Sequence, residues 1–166
     1  MNTDPGHIDH YIQDGFVKVC DVDPNLVYEW RYKNINEEIM FGRHNSWIYF
    51  IVVNGRIVKI GESGNQLGIR MAYDNQPITG SKSRLGRYRN GDGTDASIRN
   101  ELREDIRNGQ VVSIWAKKCQ IYTSQQTIAG NAIPVNTTIH KALEYHYLDY
   151  FETQVGHLPM LNKSRK

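Results

Sequence analysis

Two short segments and two isolated residues hold side chains suited to moving protons and binding anions. Trp47-Ile48-Tyr49 and Lys59-Ile60-Gly61 are separated by nine residues, Arg70 stands nine positions beyond the glycine, and Glu144 comes late in the chain. An isolated tyrosine has a pKa of about 10, so a phenol becomes a useful base only beside positive charge. A guanidinium keeps its charge and offers a planar fork to phosphate oxygens. Glu144 shares a helical stripe with Leu148 and Phe151, beside Tyr147. A carboxylate that interrupts an apolar stripe is a candidate metal ligand or a group of tuned pKa.

The two triplets resemble the pair of motifs that name the GIY-YIG nucleases, with two letters of each kept. Arg70 and Glu144 fall where that family carries its other catalytic residues, and Asn162 matches an asparagine often found near the end. Lys59, in place of the second Tyr, is similar to a variant found in some restriction enzymes of the family. Gly61 and Tyr73 are supporting positions, the glycine through close backbone approach. The resemblance covers about residues 46 to 162 and implies a metal-dependent endonuclease that hydrolyses DNA phosphodiesters.

In that reaction, water loses a proton as it attacks, the phosphate oxygens gain charge, and the leaving 3′-oxygen must be stabilised. The resemblance implies that Tyr49 takes the proton, Lys59 supplies the nearby positive charge and Arg70 holds the phosphate. It also implies that Glu144 binds one Mg²⁺, or Mn²⁺ in its place, with water and substrate oxygens completing the shell of a hard cation.

These roles need Tyr49 and Lys59 on one face of a β-hairpin. Ser46 to Gly61 reads as that hairpin, because two β-branched runs flank Asn54-Gly55. A two-residue turn would pair Tyr49 with Ile60 and send Lys59 to the other face. A three-residue loop, Val53 to Gly55, pairs Tyr49 with Lys59 and gathers Ile48, Phe50, Val52, Val58 and Ile60 into a core surface. The three-residue loop is therefore expected.

Around the hairpin, a helix is expected from about Asn25 to Met40 and a short one over Gln66 to Tyr73. Asp95 to Asn108 is the clearest amphipathic helix, with Ile98, Leu102 and Ile106 recurring every four residues. Val111 to Tyr122 has strand composition, a polar connection follows, and Thr138 to Phe151 is a second long helix. The order predicts an α+β fold with a small central antiparallel or mixed sheet of about three strands flanked by helices. Residues 1–44 read as a helical N-terminal extension and residues 45–166 as the GIY-YIG-like nuclease domain.

Charge is divided along the chain. Residues 1 to 45 hold four Lys/Arg against eight Asp/Glu, and residues 46 to 166 hold sixteen against ten. A basic main body points to a polyanion, here DNA. Lys82, Arg84, Arg87 and Arg89 fall in the acid-free run Ser81 to Asn90 and are candidate DNA contacts. The apolar run Trp47 to Val53 is far shorter than the roughly 20 residues a membrane span needs. With no basic-then-apolar leader at Met1-Asn2-Thr3-Asp4-Pro5, a cytoplasmic location is expected. Cys20 and Cys119 read as reduced structural thiols. Cutting both strands with one site per chain favours a homodimer or higher homo-oligomer.

Each residue also has an ordinary reading. Tyr49 could be strand packing, Lys59 a strand-end lysine, Glu144 a partner of Lys141, and the Lys82 to Arg89 run a solvated loop. His140 and His146 bracket Glu144 but lack the spacing of a zinc pair. Trp47 and Lys59 in place of the family's residues also fit a second function, a nucleic-acid-binding module whose hydrolytic site has decayed. Four residues of the right type, in the right order, favour the enzyme.

Overall fold

Alternating runs of β-branched residues and two amphipathic helices set the element order. The computed structural model describes residues 4–22, 32–43, 46–64, 66–67 and 94–163. A 3-10 helix (Ile8–Asp14) leads into β1 (Val17–Val22), β2 (Tyr32–Lys33), α1 (Glu37–Phe41), β3 (Trp47–Val53) and β4 (Arg56–Ser63). Then come α2 (Thr94–Arg107), β5 (Val112–Lys118), β6 (Ile121–Ile128), β7 (Asn131–Thr138) and α3 (His140–Val155).

The main sheet has five strands in the order β2-β1-β5-β3-β4, all neighbours antiparallel, and not the three expected. The additional two come from the N-terminal segment read as helical. Val17, Val19, Cys20 and Val22 favour a half-buried strand over a helix, and β1 pairs along β5. In the described part of the expected Asn25 to Met40 helix, Tyr32–Lys33 is strand and only Glu37–Phe41 is helical. Asn36 caps that short helix by accepting a hydrogen bond from the Ile39 amide at 3.3 Å.

All seven residues of β3 are buried, so the strand must be covered on both faces. On one face Trp47, Tyr49, Ile51 and Val53 join a core with Leu102 and Ile106 of α2. On the other, Ile48, Phe50 and Val52 meet Tyr147, Leu148 and Phe151 of α3 together with Tyr11 and Phe16. Phe16 stacks on Phe50 with ring centroids 4.1 Å apart, and Tyr11 meets the same ring edge-on at 5.2 Å.

The β3–β4 turn corrects a second expectation. Asn54 (φ 47°) and Gly55 (φ 84°) form a two-residue turn whose twist suits a hairpin, and Val53 pairs with Arg56 across it. The three-residue loop is not formed. Instead the register shifts between Ile51 and Val52, leaving Val58 as an extra residue on β4. Beyond this bulge Ile51 faces Lys59 and Tyr49 faces Gly61. Val58 consequently packs in the Tyr49 core and not with Ile48 and Phe50.

β6 and β7 form a separate two-stranded ribbon where a polar connection was expected. Among the described residues, no helix is long and apolar enough to cross a membrane. Cys20 and Cys119 are buried and unbridged, and burial pushes both thiols above their ordinary pKa.

Candidate active site

The bulge at Val58 does what the expected loop was meant to do. Cross-strand partners share a face, so Tyr49 and Gly61 lie on the same side of the sheet as Ile51 and Lys59. Tyr49 and Lys59 are therefore diagonal neighbours on one face. Tyr49 is fully buried and Lys59 half-buried.

Gly61 is a glycine because of Tyr49. A methyl group at position 61 would collide with the phenol ring and stand 2.5 Å from its hydroxyl oxygen. The ring thus crosses over Gly61, and since β4 is an edge strand, the hydroxyl end lies toward the rim of the sheet. Close approach was the reason offered for this glycine from the sequence, and the ring is what approaches.

The outer edge of β4 is closed by Asn162. Its Oδ1 accepts from the Ile60 amide at 2.9 Å and its Nδ2 donates to the Ile60 carbonyl at 2.8 Å. Next to it, the Leu161 amide donates to the Val58 carbonyl at 2.9 Å, so the bulge also docks the C-terminal segment. A carboxamide carries one donor end and one acceptor end and can stand in for a neighbouring strand. Asn162 is buried, and it holds the residue between Lys59 and Gly61.

Glu144 lies on α3 and is half-buried, not turned into bulk solvent. One turn earlier, His140 Nε2 lies 3.5 Å from Glu62 Oε2 on β4, while its Nδ1 is 2.8 Å from the Thr138 hydroxyl oxygen. Four and seven residues beyond Glu144, Leu148 and Phe151 are buried in the second core. The stripe His140, Glu144, Leu148 therefore follows the sheet, and His140 is a satisfied histidine. Glu62, adjacent to Gly61 in the sequence, is a rim carboxylate that the motif reading did not single out.

Tyr49 and Glu144 do not share a face. Tyr49 belongs to the core under α2, whereas α3 covers the opposite core. The two faces meet at the rim of β4, where the Tyr49 ring crosses Gly61 and His140 reaches Glu62. Arg70, Tyr73, Lys82, Arg84, Arg87 and Arg89 lie outside the described residues. Among the described residues, no group of three or more His, Cys, Asp or Glu side chains is placed to hold a metal ion. A single half-buried carboxylate suits a cation that keeps most of its water, such as Mg²⁺, and does not suit a zinc cage.

No protein-family model matches the chain, and no curated protein sequence matches it. Among solved structures it is similar to a mutant of bacteriophage T4 EndoII, at 14% identity and a TM-score of 0.58, over 95% of this chain and 98% of that one. The chain shares the fold of that protein, an α+β fold with a central antiparallel sheet flanked by helices. It is also similar to restriction endonuclease HPY188I in complex with product DNA, at 18% identity and a TM-score of 0.47, over 94% of this chain and 84% of that one. At 14% identity the likeness to EndoII is one of fold, and catalysis has to be argued from the site.

Proposed function

We propose that this chain is a metal-dependent DNA endonuclease, of a restriction-like or phage DNA-degrading kind, with Tyr49, Lys59, Arg70 and Glu144 as its reacting residues. The observation that carries the reading is the arrangement on β4. Tyr49 crosses Gly61, Lys59 shares its face, and Asn162 clamps the residue between them. Three motif positions and a residue about a hundred positions away act on one strand, a degree of agreement that unrelated packing does not require.

In this reading the Tyr49 phenol takes the proton from the attacking water at its hydroxyl oxygen, and Lys59 supplies the positive charge that favours the phenolate. Arg70 grips the scissile phosphate through two charge-assisted hydrogen bonds. Glu144 holds Mg²⁺ or Mn²⁺, which when bound stabilises charge on the departing 3′-oxygen. Lys82, Arg84, Arg87 and Arg89 add phosphate contacts that position the duplex without reading its sequence. Support for Arg70 and these four comes from sequence spacing and charge. DNA as the substrate rests on the motif resemblance and the basic main body.

A second reading, a nucleic-acid-binding module that no longer cuts, is favoured by one observation: Tyr49 is fully buried. Incubation of the purified chain with supercoiled plasmid and Mg²⁺ separates the two. The enzyme reading expects nicked or linear product, abolished by EDTA, and a Glu144→Ala protein that still binds DNA but does not cut it. Salt-sensitive binding with no cleavage in either Mg²⁺ or Mn²⁺ would establish the module instead.

A further inference from the structure

A polar cleft of about 380 Å³ opens where β5, α3 and the N-terminal 3-10 helix meet, and small-molecule sites run to roughly 300–1,000 Å³. Lys117 of β5, His10 of the 3-10 helix, and His146, Tyr147 and Tyr150 of α3 line it. Cross-strand pairing with Ile48 turns Lys117 toward α3, because Ile48 belongs to the core that this helix covers. Glu62 pairs with Ile48 from the other side, which puts Lys117 two strand spacings, or about 10 Å, from the Glu62 rim.

The cleft is organised around an ammonium that lacks a counter-ion. Lys117 is half-buried, yet among the described residues no carboxylate forms an ion pair with it. Asp14 also lines the cleft, but it is exposed to solvent. Lys117 Nζ donates instead to the Tyr147 hydroxyl at 3.0 Å and lies 5.7 Å from the centre of that ring. Having accepted from Lys117, the hydroxyl can still donate its own proton, so the pair presents a cation and a neutral donor side by side. Charge that is partly removed from water and not compensated by the protein favours an incoming anion.

The rest of the lining says what kind of anion. Donor-bearing side chains reach the cleft from a strand, a helix and a 3-10 helix, an arrangement that suits the several oxygens of a tetrahedral group better than the two of a planar carboxylate. Aromatic rings form the adjoining wall. Tyr150 is stacked with His10 at a centroid distance of 6.0 Å and bonded to its Nε2 at 2.9 Å, which holds the tyrosine in place. There is room for an organic group beside the anion.

We propose that this cleft binds a phosphate ester, with the phosphoryl group on Lys117 and Tyr147 and the organic part against Tyr150 and His146. The ester is either a free nucleotide or one link of a nucleic-acid strand. The proposal does not depend on the nuclease reading.

Calorimetric titration of the full chain with thymidine 5′-monophosphate, up to about 10 mM and so well above a millimolar Kd, tests this. EDTA in the buffer keeps divalent metal at Glu144 out of the measurement. Saturable binding is expected, with no binding of thymidine, which lacks the phosphate. Lys117→Met should weaken it at least about tenfold, the scale of one hydrogen bond to a charged group. His146→Ala should weaken it by a smaller factor, and Lys141→Met, a charge lost from the exposed side of the same helix, should leave it unchanged. Duplex DNA binding that falls in Lys117→Met and is displaced by the nucleotide identifies a strand as the source of the phosphate. DNA binding indifferent to Lys117→Met identifies a free ester. No binding of the nucleotide, equal binding of thymidine, or full affinity in Lys117→Met overturns the proposal. Should Lys117→Met melt early by circular dichroism, the exposed His146→Ala decides, and unchanged affinity in that protein overturns it.

Discussion

The phenol ring of Tyr49 fills the volume that a side chain at position 61 would need. The glycine is therefore dictated by its cross-strand partner, and Gly61→Ala is expected to displace the ring. Overpacking of this kind costs about 1–3 kcal/mol. A lowered urea midpoint, together with plasmid cleavage reduced further than that loss of stability explains, is the expected pair of results. An unchanged midpoint would mean that the ring moves aside freely.

Asn162 satisfies both backbone groups of Ile60 in a buried setting. Asn162→Ala leaves a donor and an acceptor without partners, at roughly 1–3 kcal/mol each. Asn162→Asp does not rescue, because a carboxylate can accept from the Ile60 amide but repels the Ile60 carbonyl. Chemical denaturation and hydrogen exchange at the Ile60 amide provide the measurements, with faster exchange expected in both variants.

If Lys59 assists proton loss from the Tyr49 phenol, Lys59→Met should slow cleavage by about a hundredfold, within the range that positioned acid–base groups contribute. It should also move the rise of the pH–rate profile toward higher pH, since removing a nearby positive charge disfavours phenolate. A uniform drop in rate with an unmoved profile would assign Lys59 to substrate binding.

Asp21 ties β1 to its surroundings. Burial opposes its ionisation, but hydrogen bonds from Asn34 at 2.9 Å and Lys18 at 2.6 Å outweigh it, and the carboxyl is held below its ordinary pKa. A carboxylate with a lowered folded pKa contributes stability in full above the unfolded value of about 4 and loses it as pH falls through the folded value. Asp21→Asn should therefore destabilise the protein at neutral pH, and the gap from wild type should shrink below about pH 4. Urea midpoints of both proteins between neutral pH and about pH 2 test the sign.

The two long helices were the most legible elements, whereas the N-terminal helix was not. α2 runs Thr94–Arg107 where Asp95 to Asn108 was expected, and α3 runs His140–Val155 where Thr138 to Phe151 was expected. Strong apolar periodicity explains the agreement for α2. The hairpin was harder. Asn54-Gly55 kept its usual two-residue meaning, and Tyr49 and Lys59 reached one face through a bulge that Ile57-Val58-Lys59 does not advertise, all three being acceptable in an ordinary strand. The ribbon was missed because neither of its faces is buried, so Gln, Ser, Thr and Asn dilute the alternation of its apolar residues. The opposition of Tyr49 and Glu144 across the sheet is written in no local pattern. It follows from which helix covers which face.

Ile60 waits for a partner 102 positions downstream. During synthesis, the hairpin bearing Tyr49, Lys59 and Gly61 leaves the ribosome long before Asn162 has been added. A half-made chain can thus possess both triplets of the motif while the strand that carries one of them still lacks its brace.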